Sequence, residues 1–381
     1  MSAIPLHRPA GGASRAIEAG AVAFRHATPA DDAMLRRLLR DNVMDSWVRL
    51  TLEREPAYFA AEGLMGEGVT VLAEQRDAPH GTVGMYTCNA LAVHDGGVPA
   101  RACYLGGLRV NPAFRRRIRI LRSGFESIRR VVPEAAALPL WFTSIAAQNT
   151  EARRVLEARL PGMPLYTPRG EMETLALSTR QGRERGLLRP AQSADIPAMV
   201  ALFNRHARAY QYSAVLSEDW LRGLDGRHGL SLGDFLLAGD GGQLSALVAL
   251  WDQRCIKQTV ARGYRFPLNL LRGGYNVFSA LADGIALPPA GQPLEQIYLA
   301  FAAFADADAA PAVIGEALQH ARARGAAAGV IGLSAANPVL GMLRRAFRVH
   351  AYRTCIEAVA WPDQDQGAHG ALPPQPEVAI L

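Results

Sequence analysis

Lysine is almost missing from this 381-residue chain: Lys257 stands alone beside 40 arginines among the 41 basic residues. The net charge of +6 invites a nucleic-acid partner. However, aromatics make up only 7% of the chain, and outside Arg115–Arg119 the arginines are scattered rather than interleaved with stacking rings. No specific nucleic-acid partner is expected. Cysteine is also scarce. Cys88, Cys103, Cys255 and Cys355 are far apart, with no C-x-x-C and no histidine at ligand spacing, which excludes a zinc site and a disulfide framework and leaves all four as packing residues. Long apolar runs are absent too. Leu299–Ala305 and Ala326–Ile331 are far too short to span a bilayer, and the opening MSAIPLHRPAGGASR has no apolar centre of a secretory signal. The expectation is a cytoplasmic protein with no membrane partner. There is no G-x-S-x-G elbow either, so a serine hydrolase is set aside.

What the chain does have is apolar residues, 49% of it, and enough length for two domains with separate cores. "AVAFRHATPADDAMLRRLLRDN" reads as a short strand followed by a capped helix, and "GLLRPAQSADIPAMVALFNRHA" repeats that plan. Arg25/Arg189, Ala27/Ala191, Asp31/Asp195 and Leu38/Leu202 all match at an offset of 164. Later, "LWFTSIAAQNTEARRVLEARL" corresponds to "GVIGLSAANPVLGMLRRAF", with Asn149 against Asn337 at an offset of 188. The growth in offset implies an insertion in the second half, near 254–284. A period this long points to duplication of a whole domain rather than to a solenoid.

Within the first half, strands are predicted at 69–75, 82–93, 98–110, 140–145 and 165–177, with helices at 119–132 and 150–160. "HDGG", His94–Gly97, reads as a hairpin tip. The second half repeats this order: helix 196–210, strands 234–239, 244–251 and 296–301, helix 310–324, strand 329–333, helix 338–347 and strand 349–361. The predicted class is α/β (α+β), two tandem domains, each a mixed, mostly antiparallel sheet flanked by helices. The boundaries are a disordered segment 1–20, a first domain 21–178, a polar linker 179–185, a second domain 186–361 and a loose, extended tail 362–381. The basic insertion Arg254–Arg272, with Tyr264, Phe266, Leu268 and Leu271, reads as a lid, a docking surface or plain surface decoration.

The stretch "YLGGLRVNPAFRRRIRILRSGFESIRR" joins a strand to an amphipathic helix through a tight loop, the arrangement that offers free N–H groups and a helix dipole to a phosphate. The doublet Gly106–Gly107 inside the strand suggests a bulge, or a place where a ligand lies against the backbone. This arrangement resembles the GNAT superfamily of acyl-coenzyme A-dependent N-acyltransferases, whose signature is a strand ending in V-x-P, then R/Q-x-x-G-x-G/A opening a helix, and later N-x-x-A. Here "LRVNPAFRRRIRI" supplies Val110, Pro112 and Arg115, and "NTEA" supplies Asn149 and Ala152. Ile118 and Ile120 stand where the two glycines belong, and their β-branched side chains would crowd a diphosphate.

The resemblance implies an acyl-CoA site in the first half. Leu108, Arg109 and Val110 would pair through their main chain with the pantetheine arm. The diphosphate would fall to Arg115, Arg116, Arg117, Ile118, Arg119 and Ile120, with the guanidiniums replacing missing backbone room through charge-assisted contacts. Asn149 would complete the site. The tyrosine that many members carry seven residues after the asparagine falls at Leu156, so Tyr104 and Tyr166 are the candidate acid and base, with Glu171 and Glu173 beyond. In the second half, Asp306 and Asp308 oppose any phosphate and Arg344 occupies the tyrosine position, so no cofactor is expected there. The implied function is acyl-CoA-dependent N-acylation, acetyl-CoA first among the donors, by direct transfer to a small-molecule or peptide amine, without metal. A homodimer is compatible with this reading. The alternative is an inactive GNAT-fold binding or regulatory protein.

Overall fold

The computed structural model describes residues 17–19, 22–44, 46–63, 66–75, 81–114, 117–239, 243–361 and 370–381. Its first half runs β1 (Ile17–Ala19), β2 (Val22–His26), α1 (Asp32–Asp41), β3 (Val48–Glu53), β4 (Glu67–Gln75), β5 (Thr82–Asp95) and β6 (Val98–Val110). It continues through α2 (Ile118–Val131), α3 (Pro133–Ala136), β7 (Leu140–Ala146), α4 (Thr150–Leu156) and β8 (Leu165–Ser178). The second half opens with β9 (Arg189–Pro190), α5 (Ile196–Ala207), α6 (Glu218–Arg222), β10 (Phe235–Ala238) and β11 (Ala246–Trp251). It goes on through β12 (Gln258–Tyr264), α7 (Leu268–Leu281), β13 (Gln292–Pro293), β14 (Gln296–Phe304), α8 (Ala310–Ala323), β15 (Ala328–Ser334), α9 (Pro338–Ala346) and β16 (Val349–Ala360).

The duplication is visible in atomic detail at the two helix starts. Arg25 forks onto Asp31 with two bonds of 2.8 Å, and Arg189 onto Asp195 with 2.8 and 2.7 Å. Each aspartate also accepts the backbone N–H three residues earlier, from Thr28 at 2.7 Å and Gln192 at 2.8 Å. Both therefore fix the turn that launches a helix. The apolar faces follow the same logic. Phe125, Ile128 and Val131 of α2 recur at helical spacing and are buried. They cover Cys103, Leu105, Trp141 and Tyr166 on one face of the sheet.

Thirteen strands form one sheet in the order β1-β2-β4-β5-β6-β7-β16-β8-β15-β14-β11-β10-β9. The middle of that order is an exchange. β16, the last strand of the second half, lies between β7 and β8, whereas β8, the last strand of the first half, pairs with β15. Each half is thus completed by the other's final strand. The segment expected as a polar linker is anchored as well: Thr179 is buried and donates through Oγ1 to Ala326 O at 2.7 Å.

The insertion expected near 254–284 holds β12 and α7, and β12 joins β3 and β13 in a separate three-stranded sheet; β3 itself was not anticipated from the sequence. Two expectations change. Cys255 is exposed, unlike the other three cysteines, so it is not a packing residue. The tail was expected to be loose. From Gly370 onward it is pinned instead, with the Gln375 side chain accepting from Ser334 N at 2.9 Å and Asn337 Nδ2 at 2.8 Å. The prolines, glycines and glutamines of the tail hid its role as a hydrogen-bonded strap. Of the first twenty residues, 17–19 pair with β2; the others lie outside the described residues, as do 362–369.

Candidate active site

The hairpin of β5 and β6 turns at Gly96 and Gly97, whose φ values of +56° and +83° suit the primed turn of a two-residue connection. Further along β6, the pairing with β5 jumps from Thr87↔Gly106 to Met85↔Arg109. Gly107 and Leu108 together face Tyr86, which makes a bulge. The sequence doublet explains how the chain can do this. Gly107 has φ +60°, and a Cβ there would lie 2.9 Å from Thr87 Oγ1 and Cγ2. A Cβ on Gly106 would come within 2.6 Å of the Tyr104 ring.

On its other edge, β6 runs parallel to β7 only from Ala102↔Leu140 to Tyr104↔Phe142. Beyond that pair the two strands share no further ladder among the described residues, although β6 continues to Val110. One side-chain bond spans the parting, from Thr143 Oγ1 to Leu105 O at 2.7 Å. On that edge the main chain of Leu108–Val110 therefore has no β7 ladder partner among the described residues, beside a bulge. Leu108 itself is exposed, while Val110 packs against the core and Arg109 turns Nη1 back to Leu108 O at 2.9 Å.

At the start of α2, Arg117 and Arg119 are exposed, with the Arg117 guanidinium 5.1 Å from the centre of the Phe114 ring. Arg115 and Arg116 lie outside the described residues. Ile118 and Ile120 are partly buried against the core beneath the helix. Asn149 is exposed and caps α4, its Oδ1 accepting from Ala152 N at 3.1 Å. Asn337 repeats that cap on α9.

The two tyrosines chosen as acid and base do not meet. Tyr104 belongs to the cluster of Phe142, Tyr212 and Ile356 on one face of the sheet, and Tyr166 to the cluster under α2 on the other. Tyr104 Oη lies 2.6 Å from Ser144 Oγ, and burial raises its pKa, so it is a hydroxyl donor rather than a base at neutral pH. Burial likewise raises Tyr166, helped by the Glu357 carboxylate, and its ring packs edge-on against Phe125. Glu171 and Glu173 sit on β8 opposite β16, and Glu173 is ion-paired with Arg344. His94, expected at the hairpin tip and away from the chemistry, is buried against Ser213 at the seam with the second half.

Three titratable groups were missed from the sequence. Glu357 on β16 is fully buried beside Thr143 on β7, and its pKa is pushed up to about 7 by burial and then by the Glu157 charge. Lys257 Nζ lies 3.0 Å from Leu381 O, and burial together with the Arg54 charge lowers its pKa to about 7. Glu377 accepts from Phe301 N at 2.8 Å. Only the isolation of Lys257 among arginines was a signal in the sequence, since burial of the other two depends on pairing between distant strands.

Phe301 is the second half's counterpart of Gly107. The ladder between β11 and β14 jumps from Leu247↔Ala303 to Ala249↔Ala300, leaving Phe301 and Ala302 as a bulge, and Phe301 has φ +52°. Its N–H is already held by the Glu377 carboxylate. The Gly107 bulge has no such carboxylate among the described residues.

No family model matches the sequence, and no curated protein matches it either. Solved structures do match in fold. Saccharomyces cerevisiae N-myristoyltransferase with bound myristoyl-CoA superposes with a TM-score of 0.62 at 11% identity, over 97% of this chain and 94% of that one. A second structure of the yeast enzyme, with myristoyl-CoA and inhibitors, gives 0.60 at 12% identity, over 94% and 87%. The chain therefore has the tandem GNAT fold, matched along almost its whole length.

Proposed function

We propose that this protein is an acyl-CoA-dependent N-acyltransferase whose donor binds in the first half. The observation that carries the reading is the bulge at Gly107–Leu108 beside the parting of β6 and β7. It supports a thioester lying along Leu108–Val110, with its carbonyl oxygen on a main-chain N–H of the bulge. Such a donor, held in a site closed to water, stabilises the developing oxyanion. Arg117 and Arg119, with Arg115 and Arg116 from the same loop, would grip the diphosphate at the start of α2. Tyr104, kept protonated by burial, is suited to protonate the departing thiolate. The yeast neighbour binds myristoyl-CoA, and acetyl-CoA is the smallest donor of the same class.

Isothermal titration with coenzyme A, acetyl-CoA and myristoyl-CoA tests this reading, alongside thiol release in the presence of amine and peptide acceptors. Binding is expected. Arg117→Ala and Arg119→Ala should each weaken it by about 1.5–3 kcal/mol, roughly 10- to 100-fold, the scale of a charged hydrogen bond. Gly107→Val should remove turnover by displacing the bulge. If no donor binds at millimolar concentration, the proposal fails.

A further inference from the structure

α7 is built inside out. Its polar side chains turn inward to the returning loop: Arg272 Nη1 and Asn276 Nδ2 donate to Leu287 O at 3.2 and 2.9 Å, and Ser279 Oγ donates to Ile285 O at 2.9 Å. Leu270, Val277, Phe278 and Leu281, which recur at helical spacing, face solvent instead. Phe278 is 69% exposed and Leu281 84%, and Phe266 just before the helix is 75% exposed. The patch extends to the loop before β3, where Trp47 is 66% exposed and its carbonyl accepts from Arg265 N at 3.0 Å. A contiguous apolar strip of this size on a soluble surface marks a contact site.

Its surroundings say what it contacts. A cleft of about 570 Å³ opens at the C-terminal end of α7, where Leu281 shares its wall with Arg183, Arg185 and Arg348. Arg348 and Arg180, both exposed, donate to the last carbonyls of the helix, at Ala282 O and Ala280 O. With Arg265 at the other end, five arginines flank the strip or line the cleft, against Asp283 and Asp308. An exposed apolar helix with bulky side chains on one side and arginines at its ends has the chemistry of an interfacial helix on an anionic bilayer.

We propose that α7 docks the protein in the plane of an anionic phospholipid surface, with Phe266, Leu270, Phe278 and Leu281 among the acyl chains and a headgroup phosphate in the arginine-lined cleft. This departs from the expectation of no membrane partner, which was drawn from the lack of a spanning or signal segment; no helix among the described residues is long and apolar enough to span. Peripheral docking needs no span. It is independent of the acyl-CoA site, so a failure of either leaves the other standing.

Co-sedimentation of the full chain with phosphatidylglycerol–phosphatidylcholine vesicles, compared with pure phosphatidylcholine, tests the proposal. Binding to the anionic vesicles is expected to be at least tenfold tighter and to weaken with salt. Phe278→Glu with Leu281→Glu should cut it at least tenfold without changing the melting temperature, because both side chains face water. Arg185→Ala with Arg348→Ala should erase most of the preference for the anionic lipid. The proposal is overturned by absence of vesicle binding, by equal affinity for both vesicles, or by variants that bind as the wild type does. It is equally overturned if sedimentation velocity shows a dimer that Phe278→Glu dissolves while vesicles go unbound, since the strip then covers a second copy.

Discussion

Glu357 gives the sharpest quantitative expectation. Its side chain is fully buried on β16, and neither carboxylate oxygen has a hydrogen-bond partner among the described residues. Arg153 of α4 exerts an attractive charge on it, but that arginine is already bonded to Glu157 at 2.9 Å. Burial therefore wins, and the pKa rises from 4.5 to about 7. The sign follows directly. A folded-state value above the unfolded one means that the native protein holds a proton which the unfolded chain has released between these two values. Stability is then fully present below about pH 4.5 and falls as pH rises towards 7. At about 1.36 kcal/mol per unit, the loss is roughly 3 kcal/mol. Glu357→Gln removes the ionisation and keeps the shape, at the cost of an amide that is also unpartnered, about 1–3 kcal/mol. Urea denaturation of both proteins at pH 5 and pH 8 should show the variant gaining on the wild type by roughly 3 kcal/mol across that interval. Glu157→Gln should move the wild-type transition to lower pH, since it removes the like charge. Parallel stability curves for wild type and Glu357→Gln would refute the reasoning, because the carboxylate would then have found a partner or water.

Two further outcomes follow from the duplication. Asp31→Asn should cost about 1.5–3 kcal/mol and Asp195→Asn less, since Arg189 is more exposed than Arg25 and an exposed pair contributes little. Both aspartates have lowered pKa values. At Asp31 burial opposes the shift and the Arg25 bonds outweigh it; at Asp195 the Arg189 bonds dominate. Both penalties, read by denaturation, should therefore be full above about pH 4 and fade as pH falls below it. Residues 1–178 expressed alone leave β7 and β8 without β16 between them, and an unpaired strand edge invites association. Light scattering should find aggregates or exchanged oligomers; a monomer with native circular dichroism would refute the strand exchange as a requirement.

Much of the fold was legible because it is written locally. The stretch 98–110 is bounded by the turn at Gly96–Gly97 and by Asn111–Pro112, and the strand occupies those residues. Arg25/Arg189 and Asp31/Asp195 were matched as letters before they proved to be the same ion pair at two helix starts. The bulge was legible from Gly106–Gly107. Its counterpart was not, because Phe301 adopts a positive φ that glycine usually serves; the ring stacks near Phe235 and Trp251 in a buried aromatic cluster. The strand exchange left no local mark either. β8 and β16 each read as ordinary strands, and which neighbour a strand takes is decided by register between residues nearly two hundred positions apart. Glu357 illustrates the same limit: a lone glutamate in a strand pattern reads as a solvent-facing residue until another strand covers it.

The two bulges differ in what meets them. A bulge leaves a main-chain N–H with no partner on the neighbouring strand, and a buried N–H left unmade is costly. At Phe301 the debt is met from within the chain by Glu377, whose neighbours then fix the strap in both directions. Gln253 Nε2 donates to Ala379 O at 2.6 Å, and a Cβ on Gly332 would lie within 2.2 Å of Val378, so the strap runs against bare backbone. Val378 and Leu381, from the same strap, reach the cluster around Tyr104 and Phe142 where β6 and β7 part. At Gly107 no carboxylate of the described residues performs that service, and the Thr87 side chain packs over the glycine instead. The second half thus uses its copy of the bulge to anchor the segment that packs beside the point where β6 and β7 part. Under the proposed function, the Gly107 copy is therefore the one left for the thioester carbonyl.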